Sequence, residues 1–340
     1  MIGHDLTFHP GWWHKRGFSF EERFFLDANY RIERDRDMRR VLYEEYGHIG
    51  LGEKNPLPRP IMDSDLVAGE YLQAQLLGCE VSFFPDRLPY TYPMDISDEA
   101  ILSLSPPDLS KGIWTMYDRQ LSVLHERFGY VESCIDLHGV QNLALAIRGI
   151  QLFEDYKESP EVARFVISIA YETIRSVARA ILQYTRNIGI GVSAAIKLHD
   201  TEIYLTSNCS CDMISESDYR RFIIQQDKKL AQEFRPFGIH HCGKTMQRLA
   251  GVYAELEPDF IEVGAYSDIP ATLSCFPETT RINLRFSPVE LLRNTKYEVR
   301  QAVQAMKVQA SGHANTTMSV VGVDSDTPCG NIEAFVDAAN

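Results

Sequence analysis

From about residue 75 onward, the chain alternates short apolar runs with long amphipathic stretches, and this alternation constrains the fold more than any other feature. Parallel strands that lie side by side need crossover connections, which are usually helices. The pattern therefore predicts a parallel sheet covered by helices, and the length of this part suits a single (β/α)8 TIM barrel of the α/β class. The predicted strands are Glu80–Phe84, Val131–Ile135, Val192–Leu198 with Glu202–Leu205, Gly238–His241, Phe260–Val263, Arg281–Leu284 and Ser319–Val323.

Helix starts are marked by local signals. Pro160 suits the first position of a long helix with one apolar stripe. Ser or Thr followed three residues later by an acidic residue is a capping-box pattern. This pattern predicts helices that begin after Ser215, Ser287 and Thr295.

Residues 1–60 differ in composition from the rest, with many aromatic and charged residues and a Pro/Gly-rich end. We expect a helical, aromatic-rich N-terminal extension that packs on a barrel formed by residues 61–340. The charge run from Arg31 to Arg40 is typical of a solvated helix face. Trp12 and Trp13 are candidates for covering the barrel mouth and binding an apolar substrate. Simple packing of an added helix is the alternative.

Charge and composition exclude several classes of function. The formal net charge is −13, which disfavours nucleic-acid binding and an anionic membrane surface. We find neither an apolar run long enough to span a membrane nor a signal peptide, so we expect a cytoplasmic protein. Seven cysteines without an export signal favour buried thiols or metal ligands over disulfides.

The strongest local signal runs from Gly238 to Lys244 and contains His240 and Cys242 at a predicted strand end. Residues two apart on an extended segment point to the same face, so these side chains project together. An imidazole beside a thiolate suits zinc. A buried cysteine with a hydrogen-bonded histidine is the alternative.

Two further motifs follow predicted strands. Cys209 and Cys211 precede a capped helix, and one of these thiols is a candidate for reaching the neighbouring strand end. Asp136 and His138 share a face by the same alternation and are candidate catalytic residues. Capping of the next helix by Asp136 is the alternative.

The order of these motifs resembles the uroporphyrinogen decarboxylase superfamily. The resemblance extends over roughly residues 60–340 and includes Asp136 to Gly139, Met213 to Phe222, the His240-x-Cys242 strand end, Asn283 to Leu292 and Thr327 to Phe335. It implies a single (β/α)8 barrel. The arginine-rich motif of true uroporphyrinogen decarboxylases has no counterpart here, since the corresponding region begins at Arg59 and continues Pro-Ile-Met-Asp-Ser-Asp.

The chain is more similar to the cobamide-dependent methyltransferase branch, which implies Zn2+ and a methyl group carried by a separate corrinoid (cobalamin) protein. That branch binds zinc with the His-x-Cys pair and a cysteine near the C-terminus. The resemblance thus implies His240 and Cys242 as ligands. The usual C-terminal position lacks a cysteine, so we expect Cys329 as the third ligand, with Cys211 or Glu262 as alternatives. Asn142 and His241 are assigned to substrate binding.

Two other functions stay open at this stage. One is a metal-free decarboxylase or lyase that uses Asp136 as its electrostatic centre. The other is a corrinoid- or tetrapyrrole-binding protein without turnover. The small-molecule methyl donor or acceptor is undefined because barrel loops change substrates without changing the fold. A homodimer is also left open.

Overall fold

The computed structural model describes residues 3–62, 66, 71–132, 136–185, 198 and 202–340. Six parallel strands form one curled sheet in the order β1-β8-β7-β6-β5-β4. The remaining two, β2 and β3, pair as a separate antiparallel hairpin. The strands are β1 (Gly3–Phe8), β2 (Glu80–Ser82), β3 (Tyr90–Tyr92), β4 (Tyr204–Ser207), β5 (Phe237–His241), β6 (Phe260–Val263), β7 (Arg281–Phe286) and β8 (Thr316–Val323).

Contacts beyond the six strands continue the curl from both edges of the sheet. At one edge, the Phe8 amide donates to the Leu66 carbonyl at 3.3 Å. A parallel bridge joins Ile61 to Glu132, and another joins His138 to Ser207 on β4. The fold is therefore α/β and TIM-barrel-like.

Helices connect the strands and cover the sheet. They are α1 (Pro10–His14), α2 (Glu22–Leu26), α3 (Ala28–Tyr46), α4 (Leu72–Leu76), α5 (Asp98–Leu102), α6 (Ile113–Phe128), α7 (Val140–Arg148), α8 (Gln151–Glu158), α9 (Pro160–Ile181), α10 (Glu216–Asp218), α11 (Ile224–Glu233), α12 (Ala250–Ala254), α13 (Ile269–Leu273), α14 (Pro288–Arg293), α15 (Lys296–Gln309) and α16 (Cys329–Ala339). The predicted caps are confirmed, since the side chains of Ser215, Ser287 and Thr295 accept from backbone amides three residues on.

The buried faces of the strands change from apolar to polar along their length. Ile203, Leu205 and Phe260 form a small, fully buried cluster. Two residues further along β4 and β6 stand Ser207 and Glu262, which flank His240 in the register of the sheet. Because side chains two apart on a strand share a face, these polar groups lie above the apolar cluster, toward the carboxyl ends of the strands. In TIM barrels that end carries the active site.

The strand predictions for β5 and β6 are confirmed, while others need correction. The predicted strand Glu80–Phe84 is short and pairs with β3, outside the main sheet, because a short apolar run does not specify its partner. Residues 133–135 of the second predicted strand, and Val192–Leu198 apart from Leu198, lie outside the described residues.

The N-terminal segment is largely helical, as expected, yet it is not wholly an addition to the barrel. We placed residues 1–60 outside the sheet, whereas Gly3–Phe8 pairs with β8 within it. Trp12 and Trp13 are 2% and 0% exposed and pack against Phe8. The aromatic side chains of this segment therefore help to build the core.

Among the described residues, no helix combines the length and the apolar character that a membrane span requires.

Candidate metal centre

Cys209, His240 and Cys242 come together at the carboxyl ends of β4 and β5. One potential ligand atom from each residue lies within 4.8 Å of the others. Cys209 starts a short 3-10 turn two residues after β4, and His240 stands on β5, directly beside β4 in the sheet. His240 is buried, Cys209 is half-buried and Cys242 is exposed. Two sulfurs and an imidazole nitrogen form a donor set that suits zinc.

Glu262 on β6 orients the imidazole of His240. Its Oε1 lies 3.0 Å from His240 Nδ1, and the guanidinium of Arg285 lies 3.0 Å from the same oxygen. Nδ1 thus faces a carboxylate, which leaves Nε2 for the two thiols. Metal-binding histidines commonly hold their second nitrogen in this way. Glu262, which the sequence offers as an alternative metal ligand, is thus placed as a partner of the candidate ligand His240.

The electrostatics of the group favour a positive charge at its centre. Burial alone would lower the pKa of His240, but the nearby Cys209 and Glu262 outweigh burial and raise it to about 10. The hydrogen bond with Cys242, together with burial, raises the pKa of Cys209 despite the opposing effect of His240. Deprotonating the Cys209 thiol here is therefore unfavourable, and a metal ion held by this group would supply a compensating positive charge.

Asp212 ties together the two loops that carry the thiols. Its carboxylate accepts from the backbone amides of Thr245 at 3.0 Å and Lys244 at 3.3 Å, and from the Thr245 hydroxyl. Gly243 makes this approach feasible, because a Cβ at that position would lie 2.5 Å from Asp212 side-chain atoms. These bonds hold the segment after Cys242 against the turn that begins at Cys209.

His241 and Cys211 lie apart from the group. His241 is fully buried, with Nδ1 3.0 Å from the Tyr253 hydroxyl and Nε2 3.5 Å from Asp212. Burial lowers the pKa of His241 in spite of Asp212. Cys211 is also fully buried and interacts with Tyr253. The substrate role predicted for His241 does not fit this position, which is closed off from solvent.

A cavity of about 1010 Å³ opens beside the centre. Cys209, His138 and Asn142 are among the residues that line it. The Asn142 side-chain oxygen accepts from the Ser210 amide at 2.8 Å and from its hydroxyl at 2.6 Å, and thereby holds the turn that carries Cys209. The Nδ1 atom of His138 lies 3.2 Å from the side-chain oxygen of Gln73. His138 and Asn142, which we predicted from the sequence as a catalytic and a substrate-binding residue, both line the cavity.

Other predicted site residues lie elsewhere. Cys329 begins α16 with its sulfur 3.5 Å from the Tyr46 hydroxyl, and Cys209 stands in the position that we expected Cys329 to take. Trp12 and Trp13 are core residues and do not line the cavity. Asp136 is buried, at 2% exposure, and is not among the lining residues either.

The Cys209-Ser-Cys211 motif stands out in the sequence, where we named Cys211 as the alternative to Cys329; the thiol that lies beside His240 and Cys242 is that of Cys209. Cys209 could have been found from the alternation of side chains along β4, because residues two apart on an extended segment share a face. Cys209 is two residues beyond Ser207, which pairs with His240 across β4 and β5. That pairing is a property of the sheet, and it follows from the sheet order rather than from either segment alone.

Comparison with known proteins agrees with this architecture. Residues 151–340, more than half of the chain, match the uroporphyrinogen decarboxylase (URO-D) family, and the chain belongs to that family. No curated protein matches the chain.

Solved structures show the same fold at low identity. A methyltransferase from Methanosarcina mazei is 16% identical with a TM-score of 0.65, and the alignment covers 99% of this chain and 93% of that one. A B12-independent methionine synthase from Shewanella sp. W3-18-1, in complex with selenomethionine, is 8% identical with a TM-score of 0.51. Coverage in that case is 99% of this chain and 96% of the other.

Proposed function

We propose that this protein is a zinc-dependent methyltransferase on a (β/α)8 barrel, which moves a methyl group between a separate corrinoid protein and a small molecule. The observation that carries the proposal is the group Cys209, His240 and Cys242, which lies beside a cavity large enough for an organic substrate. Two structures with the same fold are named as a methyltransferase and a methionine synthase, which supports methyl transfer as the reaction class.

The residues present fit a catalytic zinc ion. Cys209, His240 and Cys242 provide three ligands, and catalytic zinc sites typically have three protein ligands and one open position. Bound zinc would lower the pKa of a substrate thiol and hold it as a thiolate. Cys209 takes the place that the family resemblance assigned to a cysteine near the C-terminus.

The chain's own residues orient the ligands and the substrate. Glu262 directs the ring of His240, and Asp212 and Asn142 hold the two loops that carry the thiols. Because Cys209 lines the cavity, a substrate reaches the centre from there. The mouth has exposed apolar side chains, Ile150 at 82% and Met213 at 57%, where a corrinoid protein would approach.

A decarboxylase acting on a polycarboxylate is less compatible with the cavity. Such a substrate needs several guanidinium partners. Among the described lining residues, Arg148 is the one Arg or Lys side chain, and it is bound to Asp155 and Asp98.

Metal analysis tests the proposal. The purified protein should contain one zinc ion per chain by inductively coupled plasma mass spectrometry. Cys209→Ser and Cys242→Ser should lose it, while Cys329→Ser and the matched control Cys275→Ser should keep it. Cys275 lies on another segment, where its sulfur donates to the Ala271 carbonyl at 3.8 Å.

Activity is the second readout. Zinc-loaded protein should demethylate added methylcobalamin when a suitable thiol is present, and Cys242→Ser should not. A chain that binds no zinc, or zinc retained in both Cys209→Ser and Cys242→Ser, would refute the assigned metal site.

A further inference from the structure

The cavity beside Cys209 has a polar inner end and apolar sides. Its more buried polar lining comes from His138, Asn142 and Ser210 near the metal centre. The sides are formed by half-buried apolar side chains, namely Met94, Leu145, Ala146 and Phe153. Apolar lining with a few polar groups at one end is typical of sites that orient an apolar ligand by one functional group.

The charges in the lining do not provide for an anion. Arg148 is 6% exposed at its side chain, and its Nε lies 2.7 Å from Asp155. A second guanidinium nitrogen of Arg148 contacts Asp98. The positive charge is thus already balanced by two carboxylates. Asp95 adds an exposed negative charge to the same lining.

Desolvating an anion in such a cavity is costly, because a buried charge requires a partner of opposite sign. An apolar group of ring size, in contrast, would gain from leaving water against Leu145 and Phe153. The volume of about 1010 Å³ accommodates a body of that size.

We propose that the small molecule used at this site has an apolar, ring-sized body and carries no anionic group. This inference rests on the proposed function. The apolar body lies against Leu145 and Phe153, and the sulfur or methyl-bearing atom points toward Cys209 and the metal. Specificity against carboxylate-bearing compounds comes from the absence of an available cation among the described lining residues.

Binding of thiols to protein loaded with Co2+ instead of Zn2+ tests the inference without turnover. The thiolate-to-cobalt absorption band would be titrated with 2-phenylethanethiol, 3-mercaptopropionate and cysteamine. We expect 2-phenylethanethiol to bind at least about tenfold more tightly than 3-mercaptopropionate, which is an anion, and than cysteamine, since both lack an apolar body. Leu145→Ala should reduce this preference, while the control Leu102→Ala, on α5 and outside the cavity, should retain it.

Equal or tighter binding of 3-mercaptopropionate or cysteamine would overturn the inference. Failure of the proposed function gives a different result, namely a protein that binds neither cobalt nor zinc. In that case, saturation-transfer NMR with methoxybenzene and benzoate tests the cavity without a metal. Transfer to methoxybenzene alone supports the inference, and stronger transfer to benzoate refutes it.

Discussion

Asp227 is a buried carboxylate whose substitution should change how stability depends on pH. It lies on α11, is fully buried, and accepts from the Tyr219 hydroxyl at 2.5 Å and from the Asn208 side-chain amide at 3.0 Å. Burial outweighs these two hydrogen bonds and raises the pKa of Asp227 from 3.8 to about 6. The folded protein therefore holds a proton that the unfolded chain releases between about pH 4 and pH 6.

The size of the expected change in stability follows from the difference between the pKa of Asp227 in the folded and the unfolded protein. A shift of about two pKa units corresponds to about 3 kcal/mol. Because the folded state binds the proton more tightly, this contribution favours folding below pH 4 and is lost as the pH rises to 6. Asp227→Asn removes the titration and keeps an oxygen to accept from Tyr219. Because the unfolded carboxyl is already partly ionised at pH 4, the stability of the variant relative to wild type should be about 2–3 kcal/mol greater at pH 8 than at pH 4.

The assay is urea-induced unfolding followed by circular dichroism at pH 4, 5, 6 and 8 and constant ionic strength. The difference in unfolding free energy between pH 4 and pH 8 is compared for the two proteins, so that any pH-independent packing effect of the substitution cancels. Asp337→Asn, at an exposed carboxylate paired with Arg300, is the surface control. Parallel pH profiles for wild type and Asp227→Asn would refute the reasoning.

Three further substitutions test the supports of the site. Asp212→Ala removes the link between the thiol-bearing loops, and zinc affinity measured by chelator competition should fall at least about tenfold; unchanged affinity would contradict the role of Asp212. Glu262→Gln should lower zinc affinity by about tenfold in the same assay, because His240 loses its anionic partner. Gly139→Ala places a Cβ 2.2 Å from the Ser207 carbonyl oxygen and should destabilise the fold by about 1–3 kcal/mol or more. Calorimetry would test this, and an unchanged melting temperature would contradict it.

Local features of the chain were predictable because their causes are local. The caps at Ser215, Ser287 and Thr295 depend on a side chain and a backbone amide three residues away, so a segment of four residues is enough to predict each helix start. The apolar runs of β5 and β6 depend on the composition of each segment alone, and the proximity of His240 and Cys242 depends on their spacing of two residues at the end of β5.

The partners of these segments were decided by the tertiary structure. The apolar run at Glu80 pairs within a hairpin, and Gly3–Phe8 joins β8 across most of the chain length. Trp12 and Trp13 became core residues because neighbouring aromatic side chains bury them. Aromatic composition predicts burial or binding equally well, and only the packing distinguishes them.

The sequence by itself determined that an imidazole and a thiol would stand together at one strand end, since His240 and Cys242 are two residues apart on one strand and the turn that follows it. It did not determine the third member of the group. Cys209 reaches them because β4 lies beside β5, with Ser207 in register with His240, whereas Cys329 begins α16 against Tyr46. Alternation along a strand is a local property of the backbone, but adjacency between strands arises from the arrangement of the whole sheet, to which distant segments contribute.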